Sequence, residues 1–406
     1  MRVVLSTYGS RGDVQPLAAL AVHLRERGAQ VRVCAPPDEE FAQRLAALGV
    51  EAVPVGESVR ALVSGASSAP VDFPSRVAML VGQFHEAVAA VAEPGGAVVA
   101  TGLFPAVAGA QSAAERVGAR FTYVALQPTM LPSPHHRPFE FPSRPYPAGT
   151  TDNRELWEHN ILTMNALFGE QVNAHRAASV GLPGVANVRD HVFTDRPWLA
   201  TDPLLAPWPQ PAEREVVQTG AWLLPDERPL PAELSAFLDA GEPPVYVGFG
   251  SMPLHGAPDA GQVAVEAVRA HGRRIVLARG WADLAPADAG DDCCTVGEVN
   301  QQALFGRVAA VVHHGGAGTT TTAALTGVPQ VVVPQIVDQP YWAERVAALG
   351  IGAAHDGPAA TVDSLSDALE QALTPEVAAR AAEAAGGIRT DGAAVAAGLL
   401  LDPAAP

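Results

Sequence analysis

Val311-Val312-His313-His314-Gly315-Gly316-Ala317-Gly318-Thr319-Thr320 is the most informative stretch of this chain, because an apolar run passes through glycines into a helix-like segment. That order is typical of a buried strand, a tight turn and a helix in an α/β fold. Glycines let the backbone approach a ligand, and the free N–H groups at a helix start attract anions. The stretch therefore predicts a phosphate-binding loop with His314 and Thr319 as hydrogen-bond donors, or else only a tight strand-to-helix turn.

The same stretch differs from two common phosphate-binding loops. It lacks the lysine that reaches the phosphates in a P-loop, and its glycines do not have the spacing of a dinucleotide-binding loop. An ATPase and a dehydrogenase are therefore disfavoured.

The chain is long enough for two domains and is strongly acidic. It has 406 residues, with 26 Lys and Arg against 43 Asp and Glu, which gives a formal net charge of −17. Domains usually have about 100–200 residues, so two are expected. A molecule of this charge repels polyanions, so nucleic acid is excluded as a partner and a phosphate ligand needs a local site.

The compartment is predicted from features at the level of the whole chain. Cys34, Cys293 and Cys294 have no metal-ligand spacing, which indicates a reducing environment. The first residues lack the order of a signal peptide, and no apolar stretch approaches the roughly 20 residues of a membrane span. We expect a cytoplasmic protein without integral membrane association.

The first half of the chain alternates β-branched runs with helix-like runs, as in a parallel sheet covered by helices. The predicted strands are Val3–Ser6, Val31–Cys34, Ala52–Val55, Ala97–Thr101 and Phe121–Ala125. The predicted helices are Leu17–Arg27, Glu39–Leu48, Arg76–Ala92 and Ala106–Val117. A loop rich in Pro and His follows at Pro128–Pro147, and then a helix at Arg154–Ala178.

The second half repeats this alternation after a proline-rich connector at Thr201–Pro231. Its predicted strands are Val245–Gly248, Arg274–Leu277, Ala309–Val312 and Gln330–Val333, and its predicted helices are Gln262–Ala270, Thr319–Leu325 and Gln339–Leu349. The pattern predicts an α/β protein with two Rossmann-like domains, 1–205 and 233–385, joined by a linker at 206–232. Since ligands bind at the carboxyl ends of such strands, we expect a cleft lined by the loops 8–13, 249–253, 313–319 and 334–339.

Three further loops carry polar groups with two possible roles each. Ser251 follows Gly248-Phe249-Gly250 and either reaches the same phosphates or belongs to a turn required for packing. Asp338 and Gln339 follow an apolar strand and suit the paired hydroxyls of a sugar, although Asp is also a good helix N-cap. Asp13, in Gly9-Ser10-Arg11-Gly12-Asp13, either caps the first helix or acts as a general base on a hydroxyl.

Taken together, these motifs identify a family. The chain resembles the bacterial natural-product glycosyltransferases of GT-B architecture, and within them those of vancomycin-group glycopeptide biosynthesis. The stretches that carry this likeness are Leu5–Pro16, Gln218–Leu230, Gly248–Ser251, Gly272–Trp281, Val296–Asn300, His313–Thr319 and Asp338–Pro340. The resemblance covers nearly the whole chain and implies two Rossmann-like domains facing each other across a cleft.

The resemblance also implies a role for individual residues. Asp13 is the expected general base, while Ser10 and Arg11 face the donor diphosphate. The same diphosphate is held by Ser251, His314, Gly316, Gly318 and Thr319. Trp281 and Val299 border the nucleobase, and Asp338 and Gln339 bind the sugar. By the same likeness domain 1–205 binds the acceptor, domain 233–385 binds the nucleotide sugar, and residues 386–406 return to the first domain.

The expected reaction is an inverting transfer of a hexose or deoxyhexose from a UDP- or dTDP-sugar to a hydroxyl of a natural-product aglycone. A glycopeptide is the first expectation for the acceptor, and a polyketide or another lipophilic aglycone is the alternative. No Asp-x-Asp follows a strand, so we expect neither a metal nor any other cofactor. The segments Ser64–Pro70 and Leu131–Pro147 match no pattern, which leaves the acceptor open. A sugar-nucleotide epimerase and a non-catalytic sugar-nucleotide-binding protein remain as alternatives of another class.

Overall fold

The computed structural model describes residues 1–65, 71–212, 214–252, 254, 259–286, 288 and 290–402. Of the segments singled out above, residues 66–70, Glu213 of the predicted linker, Pro253 and residues 403–406 of the predicted C-terminal segment lie outside this described part. The chain divides into two units. The first unit is made of the described residues of Met1–Pro203, Pro207–Leu224 and 390–402, and the second is made of those of Leu204–Ala206 and Pro225–Arg389.

The first unit is built on a sheet of seven parallel strands. These are β1 Arg2–Tyr8, β2 Gln30–Ala35, β3 Glu51–Pro54, β4 Ala97–Gly102, β5 Arg120–Ala125, β6 Trp198–Leu199 and β7 Val217–Gln218. Their order across the sheet is β3-β2-β1-β4-β5-β6-β7. Val3 of β1 lies opposite Val31 on one side and Ala97 on the other.

Helices connect these strands and cover both faces of the sheet. They are α1 Arg11–Glu26, α2 Glu39–Ala47, α3 Val59–Val63, α4 Phe73–Val91, α5 Phe104–Val117, α6 Asn153–Met164, α7 Glu170–His175 and α8 Val188–Phe193. The C-terminal helix Gly392–Leu401 also packs in this unit, where Leu400 and Ala396 share a core cluster with Leu17 of α1.

The second unit has six parallel strands in the order β10-β9-β8-β11-β12-β13. They are β8 Val245–Gly248, β9 Ile275–Ala278, β10 Cys293–Val296, β11 Ala310–His313, β12 Gln330–Val332 and β13 Gly352–Ala354. Its helices are α9 Ala232–Asp239, α10 Ala260–Ala270, α11 Gln301–Phe305, α12 Ala317–Thr326, α13 Gln339–Ala348, α14 Val362–Ala372 and α15 Pro375–Ala385, so the C-terminal helix Gly392–Leu401 is α16.

Each sheet is buried on both faces because successive strand residues point to opposite sides. In β1, Val4 packs into one core cluster, while Val3 and Leu5 pack into the other. In β11, Val311 packs into one core cluster and Val312 into the other. This two-sided burial explains why the strands read as continuous apolar runs rather than as alternating ones.

The strand order places one loop pair at the centre of each sheet. In the first sheet the chain moves one way from β1 to β2 and the other way to β4, and in the second sheet β8 is flanked by β9 and β11. Ligands of open α/β sheets bind at such a reversal, at the carboxyl ends of the two central strands. The loops that begin at Gly9 and Leu103 occupy this position in the first unit, and those at Phe249 and His314 occupy it in the second.

The predicted α/β class with two Rossmann-like units is confirmed, while several element bounds differ. Helix α1 begins at Arg11 rather than Leu17, because Ser10 caps it and Pro16 is tolerated inside it. The predicted helix 154–178 contains two π-helical segments, Asn165–Gly169 and Arg176–Val180. Part of the predicted connector pairs in the first sheet as β7, since its prolines flank a short strand rather than forming a free linker.

Candidate active site

His313 fixes the turn that follows β11. It is fully buried, and its Nδ1 accepts the Gly315 N–H at 3.0 Å, so Nε2 carries the proton and donates to Gln330 Oε1 at 2.9 Å. Burial and the neighbouring His314 lower the pKa of His313 to about 3. His313 is therefore a neutral structural residue that sets the path of the glycine loop.

His314 lies between two glycines at the start of that loop. A Cβ atom on Gly316 would lie 2.6 Å from Nε2 of His314, and one on Gly250 would lie 3.3 Å from Cε1. Its Nδ1 is buried and has no hydrogen-bond partner within the described chain. Burial lowers the pKa of His314 to about 4, so the ring is neutral at pH 7 and offers one N–H. This histidine is held in place without a structural hydrogen bond at Nδ1.

Helix α12 begins beside this ring with unpaired backbone donors. Its N-cap, Gly316, has no capping side chain, and the first backbone bond of the helix runs from Thr320 N–H to Gly316 O. The N–H groups of Ala317, Gly318 and Thr319 precede that bond and have no acceptor within the helix. A Cβ atom on Gly318 would meet nothing within 4 Å, so the helix start is open. Such a start attracts an anion through its N–H groups and the helix dipole.

The loop after β8 borders His314, and we call this loop, the His314 loop and the start of α12 together the cradle. Gly250 has φ +57°, and its carbonyl accepts the Trp281 N–H at 2.9 Å. A Cβ atom on Gly280 would lie 2.6 Å from the same oxygen, so both loops need glycine at their point of contact. Half-buried Ser251 and Trp281 thus follow two glycines that touch each other, one of which also borders His314.

Asp338 and Gln339 have different surroundings. Asp338 occupies the N-cap position of α13 without a capping side-chain bond, and its Oδ2 accepts the Trp342 Nε1–H at 2.8 Å. Burial raises the pKa of Asp338 to about 6. The Gln339 amide oxygen accepts the N–H groups of Gln335 and Ile336 at 2.8 and 3.1 Å, so this side chain holds its own loop. Only the side-chain amide nitrogen of Gln339 remains for a ligand, and it donates to Met252 Sδ at 3.5 Å.

Val299 and its neighbour Asn300 lie at the end of β10. Val299 is only 8% exposed and belongs to a core cluster with Phe305, so little of its surface faces a ligand. Asn300 donates to the carbonyl oxygens of Asp226 and Arg228 at 2.7 and 2.8 Å. This edge of the second unit is therefore held by Asn300, a role that the sequence analysis did not foresee.

In the first unit, Asp13 belongs to a capping box. Ser10 N–H donates to Asp13 Oδ2 at 2.9 Å, and the Ser10 hydroxyl accepts from the first turn of α1. A Cβ atom on Gly9 would lie 2.1 Å from Asp13 Oδ2, so the turn needs glycine there. The Arg11 guanidinium donates to Gln15 at 3.0 Å. Helix capping is thus present at Asp13, and it leaves a base role possible because the carboxylate is only partly buried.

A set of apolar side chains begins at the carboxyl end of β4, the strand next to β1. Leu103 is 52% exposed, and its N–H donates to Tyr8 O at the carboxyl end of β1. The next residue, Phe104, lies 4.9 Å from Phe168, whose ring also packs against Phe73 and Phe141, with Phe139 beyond Phe141. We call Phe73, Phe104, Phe139, Phe141 and Phe168 the aromatic cluster. No sequence pattern revealed it, since its members come from four separate segments.

The predicted site residues thus form two groups. The second unit brings together His314, Gly316 and the two loops that carry Ser251 and Trp281. Gln339 packs against Gly315. Ser10, Arg11 and Asp13 form a separate group at the start of α1 in the first unit. The described residues contain no group of three His, Cys, Asp or Glu side chains that could hold a metal ion. Among the described helices, none combines the length and apolar character needed to cross a bilayer.

Comparison with family models gives two matches. Residues 3–110 match the N-terminal domain of glycosyltransferase family 28. Residues 275–395 match the C-terminal domain described as erythromycin biosynthesis protein CIII-like. The second match includes the His314 loop, and the first includes the Asp13 loop.

Two curated relatives and two solved structures extend over nearly the whole chain. Vancomycin aglycone glucosyltransferase of Amycolatopsis orientalis is 55% identical over 99% of this chain and 97% of its own. dTDP-epi-vancosaminyltransferase of the same organism is 50% identical, over 94% and 92%. The kitacinnamycin glycosyltransferase structure has a TM-score of 0.72 at 22% identity, covering 100% and 99% of the two chains. The VinC complex with dTDP has a TM-score of 0.60 at 23% identity, covering 99% and 98%.

Proposed function

The chain belongs to the GT-B glycosyltransferases of natural-product biosynthesis that include vancomycin aglycone glucosyltransferase, and from this premise we propose its substrates, its base and its donor site. It is a nucleotide-sugar-dependent glycosyltransferase. The proposed reaction is inverting transfer of a hexose or deoxyhexose from a UDP- or dTDP-sugar to a hydroxyl of a glycopeptide aglycone. The identity of 55% over 99% of the chain with an enzyme named for the vancomycin aglycone carries the acceptor assignment.

The proposed donor site is the cradle around His314. The open start of α12 and the single N–H of the neutral His314 ring are hydrogen-bond donors on one side of the glycine loop. A diphosphate there would accept from the N–H groups of Gly318 and Thr319 without any cation from the protein. Ser251 and Thr319 add hydroxyl groups, Trp281 borders the nucleobase, and Asp338 with the amide group of Gln339 binds sugar hydroxyls. The buried position of Val299 gives it at most a supporting role.

The proposed chemistry is one displacement at the anomeric carbon. Asp13 accepts the proton of the acceptor hydroxyl as that oxygen forms the new glycosidic bond. The bond from the anomeric carbon to the diphosphate breaks at the same time, and the nucleoside diphosphate leaves with the electron pair. Donors at the α12 start stabilise the charge that develops on this leaving group. We propose that no metal ion is required for this step.

The aromatic cluster supports an aryl-rich acceptor. Phe73, Phe139 and Leu103 are 50%, 38% and 52% exposed, and Leu103 follows β4, the strand next to β1. Exposed apolar surface of this kind is costly in a free enzyme and marks a binding surface. Burial raises the pKa of the Tyr123 phenol, and the Asp13 charge adds to this effect.

The test is a matrix of donors and acceptors analysed by mass spectrometry. UDP-glucose, dTDP-glucose and a dTDP-deoxysugar are each combined with vancomycin aglycone and with a macrolide aglycone. We expect a glycosylated peptide aglycone, with turnover unchanged by EDTA. A product only with the macrolide would reject the glycopeptide assignment, and loss of turnover in EDTA with rescue by Mg²⁺ would reject metal independence.

A further inference from the structure

The first unit contains a pocket that none of the roles above uses. It has a volume of about 720 Å³ and lies between the loop 143–147 and one face of α6 with the π-helical segment that follows it. His159, Leu162, Thr163 and Leu167 form the helical side. We call this the Arg144 pocket. The loop side belongs to the proline-rich segment that matched no pattern in the sequence.

The Arg144 pocket combines an apolar edge with polar side chains, among which Arg144 supplies the guanidinium. Leu162 is 65% exposed, and Leu167, Pro145 and Pro147 add further apolar surface. Arg144 lines the same pocket, and its guanidinium has no hydrogen-bond acceptor or carboxylate partner in the described part of the chain. Arg137, earlier in the same segment, does have a partner in Glu140 at 3.6 Å.

The loop that carries Arg144 is held in place. Arg144 N–H donates to Phe141 O at 2.8 Å. The Tyr146 hydroxyl donates to Phe139 O at 3.0 Å, and the Tyr146 N–H donates to Glu140 Oε1 at 2.9 Å. An arginine on a fixed backbone loses less conformational entropy when it pairs with a ligand, because part of its ordering is already done.

The pocket adjoins the aromatic cluster. Phe141, three residues before Arg144, packs against Phe168 at 6.3 Å, and Leu167 of the pocket precedes Phe168 in the chain. The Phe168 ring also packs against Phe104, and Phe104 follows the exposed Leu103 at the carboxyl end of β4. A series of ring contacts, through the buried Phe104 and Phe168, therefore links the loop of the Arg144 pocket to the carboxyl end of β4. We infer that an acceptor bound over these elements has one end near the base and the other near the guanidinium.

We propose that the Arg144 pocket binds a carboxylate of the acceptor, an inference that rests on the proposed function. In a protein of net charge −17, a guanidinium that has no partner among the described residues and lies in a concave, largely polar site selects for an anion. Its planar fork matches a carboxylate. A peptide aglycone carries such a group at its C-terminus. The occupant is thus the acid end of an aryl-rich peptide whose hydroxyl lies at Asp13.

The test compares vancomycin aglycone as the free carboxylic acid with its C-terminal methyl amide. Initial rates are measured with the wild type, with Arg144→Met and with Arg137→Met as the matched control. We expect wild-type KM to be lower for the acid than for the amide. Arg144→Met should raise KM for the acid by about three- to ten-fold, the range for a partly exposed charge pair. It should leave KM for the amide and kcat for both acceptors unchanged, and Arg137→Met should behave as the wild type.

The outcomes separate this inference from the function on which it rests. If the wild type and Arg144→Met show the same ratio of KM values for acid and amide, the carboxylate site is rejected while the glycosyltransferase function stands. If the wild type glycosylates neither form but does glycosylate a macrolide aglycone, the proposed acceptor is wrong and the inference is overturned with it. Equal wild-type KM values for acid and amide would also overturn it, whether or not the variants fold.

Discussion

At the residue scale, His314 shows how burial prepares a polar group for a ligand. Its ring is kept neutral by burial, with a pKa of about 4, and its Nδ1 has no partner among the described residues. An unpaired polar atom in such a position costs stability, so a site that keeps one is adapted to a bound group. A bound diphosphate would stabilise the protonated ring and therefore raise this pKa.

The first prediction follows from this expected rise of the His314 pKa. Titration of ¹³C-labelled histidine by NMR, with assignment by His314→Gln, should give a midpoint near pH 4 in the free enzyme. Saturating dTDP should move that midpoint upward by at least about one unit, since the dianionic group favours imidazolium. An unchanged midpoint with dTDP bound would place the diphosphate away from His314. It would thereby remove the basis of the proposed donor site.

Gly318 allows the open helix start to be tested without disturbing the fold. A methyl group at Gly318 meets nothing in the protein, and alanine is favoured over glycine within helices by about 0.5–1 kcal/mol. Gly318→Ala should therefore keep or raise the Tm. It should nevertheless raise the donor KM roughly ten-fold or more, because the methyl group would hinder a charge-assisted hydrogen bond.

Gly82→Ala is the matched control for this variant. Gly82 lies within α4 of the first unit, and a Cβ atom there also meets nothing within 4 Å. It should affect the Tm in the same direction and leave the donor KM unchanged. Equal donor KM values for the two variants would show that no ligand approaches the start of α12.

At the element scale, the beginning of α1 combines two functions in a few residues. Asp13 is the third helical residue, and its carboxylate accepts the Ser10 N–H as one half of a capping box. From the sequence alone, capping and catalysis are two alternative roles for Asp13. The structure shows the cap, and a carboxylate that accepts one backbone hydrogen bond has a second oxygen and further lone pairs for other contacts.

Asp13→Asn separates these two functions. The Asn amide oxygen can still accept the Ser10 N–H, so the Tm should change by no more than a few degrees. The amide cannot take a proton, so kcat should fall by roughly 10²–10⁴. Ser10→Ala provides the opposite case, with a loss of about 1 kcal/mol in stability from the missing cap. Wild-type turnover in Asp13→Asn would exclude Asp13 as the base.

At the scale of the whole molecule, buried neutral histidines make stability depend on pH. Burial lowers the pKa of His85 and His314 to about 4 and that of His313 to about 3, below the value near 6.5 of an unfolded chain. Their contribution is present above pH 6.5 and is lost as the pH falls toward 4. The contribution of Asp338 to stability has the opposite pH dependence. Its pKa is raised to about 6 in the folded state, so protonation of Asp338 favours folding.

The loss of stability from protonating three buried histidines exceeds the gain from protonating one carboxyl group, so a lower pH should destabilise the folded protein. Thermal unfolding followed by circular dichroism should show a Tm lower by at least about 4 °C at pH 5.0 than at pH 7.5. That change corresponds to about 1 kcal/mol or more for domains of this size. An equal or higher Tm at pH 5.0 would mean that the histidines are not neutral and buried in the folded state.

The local chemistry of the site was readable from the sequence because it lies in short, continuous motifs. His313 to Thr319 predicted a strand, a glycine turn and a helix, and the structure has β11, the turn and α12 in those places. The three-residue strand β13 carries little periodic signal, so it was not predicted, and it is stabilised by its pairing with β12. Helix α15 was not predicted either, although Thr374 caps it and Pro375 stands in its first turn.

Roles that depend on distant partners required the folded chain. Gln339 suggested a sugar ligand, yet its amide oxygen closes its own loop, because Gln335 and Ile336 fold back onto it. The aromatic cluster and the Arg144 pocket join segments that are far apart in sequence, and periodicity within a segment contains no information on such contacts. Residue order thus specifies which groups are available and which elements form. The packing of helices on parallel sheets sets which groups meet and which are left for a ligand.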